Sequence, residues 1–429
     1  MAALAVFAFI SCDNGTSLEE DNNTDTPQET PVETSAETPK EETKVEEPAA
    51  EEEEVETRVA FNEPLTLEFK EDGRIIILNP LPTLKFSKNG GVLTPVTITD
   101  EDDNTAEITV AKDDKISFYA VTTNYVINQD DDIENCMMIK ANVASYVYGN
   151  VMSLLTLNES TGEWNPKATV VKDGSFACLF YDYAYIENHP TKPLYLPATT
   201  LAKYCYAFMF SSCNESFTRA PELPATTLEE GCYESMFEYC EQLETAPDLP
   251  ATTLANMCYY GMFEDCSKLT KAPVLAAKNL KKQCYQSMFS GCKSLTKAPE
   301  LPAEVMEKTC YSSMFEGCTN LTSAPALPAT TLARWCYDCM FKGCTELTAA
   351  PTLQATTLIE GCYSQMFEGC TKLSTITCLA TDISANDCTR DWVKDVADTG
   401  TFVKASSADW TLKTGESGIP SGWTTQDAE

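Results

Sequence analysis

The chain has a single histidine in 429 residues, His189, set in Asn-His-Pro. A Ser-His-Asp or Cys-His mechanism needs a base oriented beside its nucleophile. No such partner stands at a recognisable spacing around His189, which reads as a turn residue. Positive charge is also scarce, with 30 Lys and Arg against 65 Asp and Glu and a formal net charge of −35. Such a chain repels nucleic acid and anionic lipid surfaces, so neither is an expected partner. Long apolar runs are missing: AALAVFAFI at 2–10 is too short to cross a bilayer, and no other stretch is long enough. Paired zinc-type motifs are missing too. Cys336-x2-Cys339 stands without a second pair, and Cys336 belongs to a repeating column. The acidic runs Asp100–Asp103 and Asp130–Asp132 lack the spaced ligands and central glycine of a calcium loop and read as solvated turns. No metal, no other cofactor and no enzymatic activity are expected.

What is present is repetition. Cys-Tyr occurs at Cys205, Cys232, Cys258, Cys284, Cys310, Cys336 and Cys362, with a first interval of 27 residues and later ones of 26. A second Cys follows eight residues after each: Cys213, Cys240, Cys266, Cys292, Cys318, Cys344 and Cys370. A fixed period in this range marks a stack of coils, each burying its apolar side only against its neighbours. Columns of Leu, Met (Met209, Met236, Met262, Met288) and Phe (Phe210, Phe237, Phe263, Phe289) are the expected continuous core. Each large side chain fully buried there contributes roughly 1.5–3 kcal/mol.

Within one coil, Leu228, Cys232, Met236 and Cys240 are four apart. That spacing predicts one face of a helix, widened by Tyr233 and Phe237, with Thr226 or Thr227 as N-cap. Leu243, Ala246 and Leu249 then lead through Pro247 and Pro250 into the next coil. Proline recurs at 221, 247, 273, 299, 325 and 351, so the intervening strand must be short. The expected fold class is an α/β solenoid, with a short parallel strand around Leu-Thr-x-Ala and a helix in each 26-residue coil. On a helix, two cysteines eight apart are ~12 Å from each other, beyond the ~4.4–6.8 Å of a disulfide. Despite 20 cysteines, free thiols packed as small hydrophobes are therefore expected. LPATT lacks the glycine and apolar tail of a sortase signal and is a coil element.

Leucine-rich repeats of the BspA-like bacterial surface type read L-x-x-I-x-L-P…I-x-x-x-A-F-x-x-C. The phrase L-T-x-A-P-x-L-P…C-Y-x-x-M-F-x-x-C resembles a longer, Cys-rich variant of it between Leu194 and Cys388. Cys replaces the aliphatic residue, and Met-Phe replaces Ala-Phe. The resemblance implies a leucine-rich-repeat solenoid and adhesion to host or bacterial surface molecules.

The remaining segments give the domain plan. Residues 1–12 look like the end of a lipoprotein signal, with Phe-Ile-Ser-Cys in the lipobox and Cys12 acylated. Phe9 stands where Leu is usual, and no Lys or Arg precedes the run, two departures from the signal pattern. An ordinary secretory signal with an incidental Cys is the alternative. Residues 13–57 carry 17 Asp or Glu and 2 Lys with almost no aromatics, the composition of a disordered, self-repelling tether. In 58–157, LTLEF, RIIIL, TAEITVA, KISFYAV and ASYVYGNVMSLL, with turns at Asp72-Gly73 and Asn89-Gly90-Gly91, predict a small β-sandwich. The solenoid is expected over 158–390, beginning with a degenerate coil from Phe176 to Pro197. A cap is expected over 391–429, holding Trp392, Trp410 and Trp423 outside the periodic pattern.

The site expected from this plan is a surface strip. Thr270, Thr296, Thr322 and Thr348 fall in one column, with Arg219, Lys271 and Lys297 alongside, and Thr245 in the intervening coil. A basic, hydroxyl-lined strip on an acidic protein suits an acidic or glycan partner; merely exposed strand residues are the alternative. The expected protein is a monomeric, exported, lipid-anchored surface binder of protein or glycan, touching the membrane only through its anchor. A structural spacer or envelope component without a ligand is the second possibility.

Overall fold

The computed structural model describes residues 61–121, 135–411, 413 and 415–428. The signal with Cys12, the 13–57 segment and Asp130–Asp132 lie outside the described residues.

The alternating runs at the start form two sheets. β1 (Thr66–Phe69), β3 (Lys85–Lys88), β4 (Thr94–Pro95), β6 (Lys115–Tyr119) and β8 (Ser145–Asn150) lie in the order β8-β1-β6-β3-β4. The short strands β9 (Ile186–Asn188) and β10 (Leu194–Tyr195) both pair with β8 in parallel. A second sheet has the order β5-β2-β7, from Thr105–Val110, Gly73–Leu78 and Met138–Ala141. Period-2 burial places Leu67 and Phe69, Ile75 and Ile77, Ile108 and Val110, and Ile116 and Phe118 in one core. That core runs without a break into the columns of the coils.

The coils themselves contain no helix. Among the described residues the regular elements are strands and short 3-10 turns, and the expected α/β solenoid is overturned. The Cys-Tyr segment is instead a ribbon of tight turns whose backbone bonds go in two directions alternately. In the second coil the N–H groups of Gly231, Tyr233, Ser235, Phe237 and Tyr239 donate to the next coil, at carbonyls of Asn256, Cys258, Tyr260, Met262 and Glu264. The N–H groups of Cys232, Glu234, Met236, Glu238 and Cys240 close turns onto the residue three before. Every donor is satisfied without a single helical bond. The turns require left-handed backbone at each fourth residue: φ is +60° at Gly231, +47° at Ser235 and +56° at Tyr239. That is the geometry of position three of a type II turn, and a helix does not tolerate it.

The predicted strands shrink as well. Along most of the stack the parallel pairing is reduced to isolated bridges, such as Arg219 with Thr245 and Thr245 with Lys271. Only at the C-terminal end do three parallel strands form: β11 (Thr375–Cys378), β12 (Thr401–Lys404) and β13 (Thr424–Asp427). Thr226, expected as a helix cap, donates its backbone N–H to Thr199 O of the preceding coil.

Two aromatic ladders run through the stack. One is Phe176, Tyr206, Tyr233, Tyr259, Tyr285, Tyr311, Tyr337 and Tyr363; the other is Phe180, Phe210, Phe237, Phe263, Phe289, Phe315, Phe341 and Phe367. Both end on Trp392, 6.3 Å from Tyr363 and from Phe367. Trp392 is therefore inside the repeat, not outside it. It stands 26 residues after Met366, and Phe367 N–H donates to its carbonyl as Phe341 N–H does to Met366. Trp410 stacks on Trp392 at 5.5 Å and completes the cap.

All 19 described cysteines are buried thiols without disulfides, although the helical distance that predicted this does not apply. Each second-column thiol donates to the Phe carbonyl of the coil before: Cys240 to Phe210 at 3.0 Å, Cys266 to Phe237 at 3.1 Å, Cys318 to Phe289 at 3.0 Å. An aliphatic side chain would fill that volume but leave the carbonyl without this second, weak donor.

Candidate functional site

The expected strip is assembled by the inter-coil register. Arg219 bridges Thr245, Thr245 bridges Lys271, and Lys297 bridges Ser323, all in parallel. Arg219, Thr245, Lys271 and Lys297 are exposed, as are Thr270, Thr296, Thr322 and Thr348. The threonine column is tied along its length: Thr270 Oγ1 donates to Glu244 O at 3.4 Å and Thr322 Oγ1 to Thr296 O at 3.2 Å, and Thr348 O accepts Ser374 N–H at 3.0 Å. Glu244 is the one acid in that column, next to Thr245.

Elsewhere on the coils, several cations are paired across the period. Lys372 meets Glu346 at a close ion pair, Lys203 meets Glu230 at 2.9 Å, and Glu368 is held between Lys394 at 2.9 Å and Lys342 at 3.3 Å. The two lysines hold the Glu368 carboxyl below the ordinary range against the opposing effect of burial. Arg219, Lys271 and Lys297 make no ion pair with a described residue. Coils stacked at ~4.8 Å put Lys271 and Lys297 within a Debye length of ~8 Å, so an anion laid along them relieves their repulsion. Sequence reasoning missed Lys268 and Lys293, exposed on the same coils as Lys271 and Lys297; their three- and four-residue offset was the available signal.

A second candidate lies on the β1-β6 sheet: a polar cleft of about 370 Å3 lined by Glu63, Thr66, Lys115, Ser117, Tyr148 and Lys192. His189 borders it. Its Nδ1 accepts the N–H groups of Thr191 at 3.1 Å and Lys192 at 2.9 Å, which places the ring proton on Nε2. Burial holds its pKa below the ordinary value. The charges lining this cleft are matched internally, Lys192 with Glu63 at 2.9 Å and Lys115 with Glu68 at 3.3 Å. Both lysines lining it are paired, so it offers a ligand no unpaired cation, whereas the strip offers three. Among the described residues no three His, Cys, Asp or Glu side chains gather as metal ligands, and no helix is long and apolar enough to cross a membrane. Compared with family models, curated proteins and solved structures, the chain matches none.

Proposed function

We propose that this is an exported surface protein, held by a lipid on Cys12, that binds anionic macromolecules of host or bacterial surfaces along the strip Arg219, Lys271 and Lys297. The observation that carries the reading is three exposed, unpaired cations in one inter-coil column of a chain with net charge −35. The threonine column beside them supplies hydroxyls suited to sulfate, carboxylate or saccharide oxygens. The resemblance to BspA-like surface repeats supports the same reading. Binding by such a strip is steered by charge and falls with salt.

Residues 58–429 screened against glycans and surface proteins should retain anionic ligands. Arg219→Glu, Lys271→Glu and Lys297→Glu together should weaken that binding at low salt at least about tenfold, ~1.4 kcal/mol. Each exposed change should move stability by no more than ~0.5 kcal/mol. Binding that survives the triple change moves the site off the strip. A screen that returns no ligand favours the spacer, for which the two unbroken aromatic ladders are the supporting feature. Cys12→Ser, expressed with its native upstream sequence, should abolish acyl labelling and release the protein from membranes; labelling that persists refutes the anchor.

A further inference from the structure

Fifteen of the described cysteines belong to the two repeat columns, at 26-residue spacing. Cys136 and Cys178 do not. Cys136 lies just before β7, and Cys178 lies in the first turn ribbon, at a left-handed position with φ +57°. The two elements are joined there by Ile139 N–H donating to Leu179 O at 2.8 Å. The two side chains pack together with Met138 and Ala177 in a small cluster of their own, separate from the main core, walled by Leu78, Tyr181 and Phe208. Their thiols hydrogen-bond each other. Column thiols behave differently: Cys240, Cys292 and Cys344 each donate to a backbone carbonyl, 3.0 to 3.1 Å away. Cys339 donates to Gln365 Oε1. Cys136 and Cys178 thus meet from two different elements, packed together in one small cluster.

We infer that Cys136 and Cys178 are a disulfide site, the cross-link this fold makes when the chain folds in contact with a disulfide oxidant. It would clip the β5-β2-β7 sheet to the first coil. The chemistry is thiol–disulfide exchange. One thiolate attacks the oxidant's S–S bond and expels one oxidant thiol. The second cysteine sulfur then displaces the other, closing the Cys136–Cys178 bond. Two electrons pass to the oxidant, and the two thiol protons end on the two thiols released. Cys136 is 2 % exposed and Cys178 0 %, so the folded pair is shielded from attack and the step belongs to folding. The contact with the Cys136 thiol, and after it burial, also keep the Cys178 thiol protonated, which slows thiolate chemistry once the fold has closed. The bond would tie residues 42 apart in sequence, the order of loop for which cross-linking restrains the unfolded chain appreciably.

The test uses the full chain, reduced and unfolded, then refolded in a glutathione–glutathione disulfide buffer. Remaining thiols are alkylated in denaturant and unreduced peptides are mapped by mass spectrometry. The expected result is a loss of two of the 20 thiols, a single cross-linked peptide pair joining Cys136 to Cys178, and a melting midpoint raised by several degrees over the reduced form. Cys178→Ser should remove the cross-link without creating another. Should refolding fail, the full chain is synthesised in vitro in the same buffer, so that it folds in contact with the oxidant, and the same map is read. Cross-links among column cysteines, a mixture of pairings, or a full complement of free thiols would overturn the inference.

Discussion

Replacing Phe289 with aspartate is expected to abolish the cooperative melting transition of the stack. The ring lies at the middle of its ladder, 5.7 Å from Phe263 and 5.8 Å from Phe315, stacked nearly parallel to both, and is 0 % exposed. Its N–H donates to Met314 O at 3.0 Å, and its carbonyl accepts Cys292 N–H at 3.1 Å and the Cys318 thiol at 3.0 Å. Losing such a side chain to a small one costs about 3–5 kcal/mol through transfer and cavity terms. The carboxylate adds the burial of a charge with no cation beside it, which takes the total above about 5 kcal/mol. That is comparable with the whole stability of many folded domains, ~5–15 kcal/mol. Because each coil touches only its neighbours, the defect separates the coils before it from those after it. Circular dichroism melts of Phe289→Asp against a Phe289→Leu control measure this. The leucine variant should keep a cooperative transition at a lower midpoint. A midpoint for the aspartate variant equal to the parent's would show that this ladder does not hold the stack.

The register was legible in the sequence because every inward column repeats at 26 residues: Tyr259, Tyr285 and Tyr311 do stack, as do Phe263, Phe289 and Phe315. The local backbone was misread because two geometries share a spacing of four. On a true helix, at about 100° per residue, Leu228 and Cys240 would stand about 120° apart. Four buried residues at strict four-residue steps therefore drift off one helical face, whereas a turn repeating every four residues returns each to the same side. Glycine carried a second signal. Gly361 and Gly369, eight apart, both fall on left-handed positions, at φ +62° and +75°, and glycine in a helix interior costs about 1 kcal/mol each. Ser235, Ser313 and Trp335 occupy equivalent left-handed positions, and nothing in their chemistry announces it.

The strip was legible for the same reason as the core, since residues 26 apart share a column whether they face in or out. Pairing was not. Lys342 and Lys297 look alike in sequence, yet Lys342 has Glu368 one coil away at 3.3 Å and Lys297 has no described acid within ion-pair distance. Nor could the sequence distinguish exposed acids from buried ones. Glu234 and Glu238 face away from the core, so their type suggested solvent, yet Glu238 is only 4 % exposed. Both sit on the outer side of the turn ribbon, where successive coils crowd acid against acid with no lysine between.

Those acids give the second large effect: stability should fall as pH rises through neutrality. Burial pushes the carboxyls of Glu234 and Glu264 up to about 8 and that of Glu238 to about 7. Their neighbours push the same way: Glu230 and Glu238 act on Glu234, while Glu238, Asp265 and Glu316 act on Glu264. An unfolded glutamate titrates near 4.3. Between roughly pH 4.5 and 8 the folded chain therefore binds more protons than the unfolded one, and unfolding free energy declines with pH by up to ~1.4 kcal/mol per unit per group. At the acid end the sign reverses. Asp114 is held below its ordinary range, against the effect of its burial, by the Ala111 N–H, Lys88 and Asn89. Its contribution is present above the unfolded value and is lost as pH falls through the folded one. A stability maximum near pH 4–4.5 follows, with a loss of at least a few kcal/mol by pH 8.5. Denaturant melts across pH 4–9 measure it. Glu264→Gln keeps the shape and removes the charge, so it should match the parent at pH 4 and exceed it at pH 8.5, flattening the slope. Relief of the general −35 charge would give the variant a curve parallel to the parent's at every pH. That outcome would place the carboxyl in ordinary solvent and sink the claim.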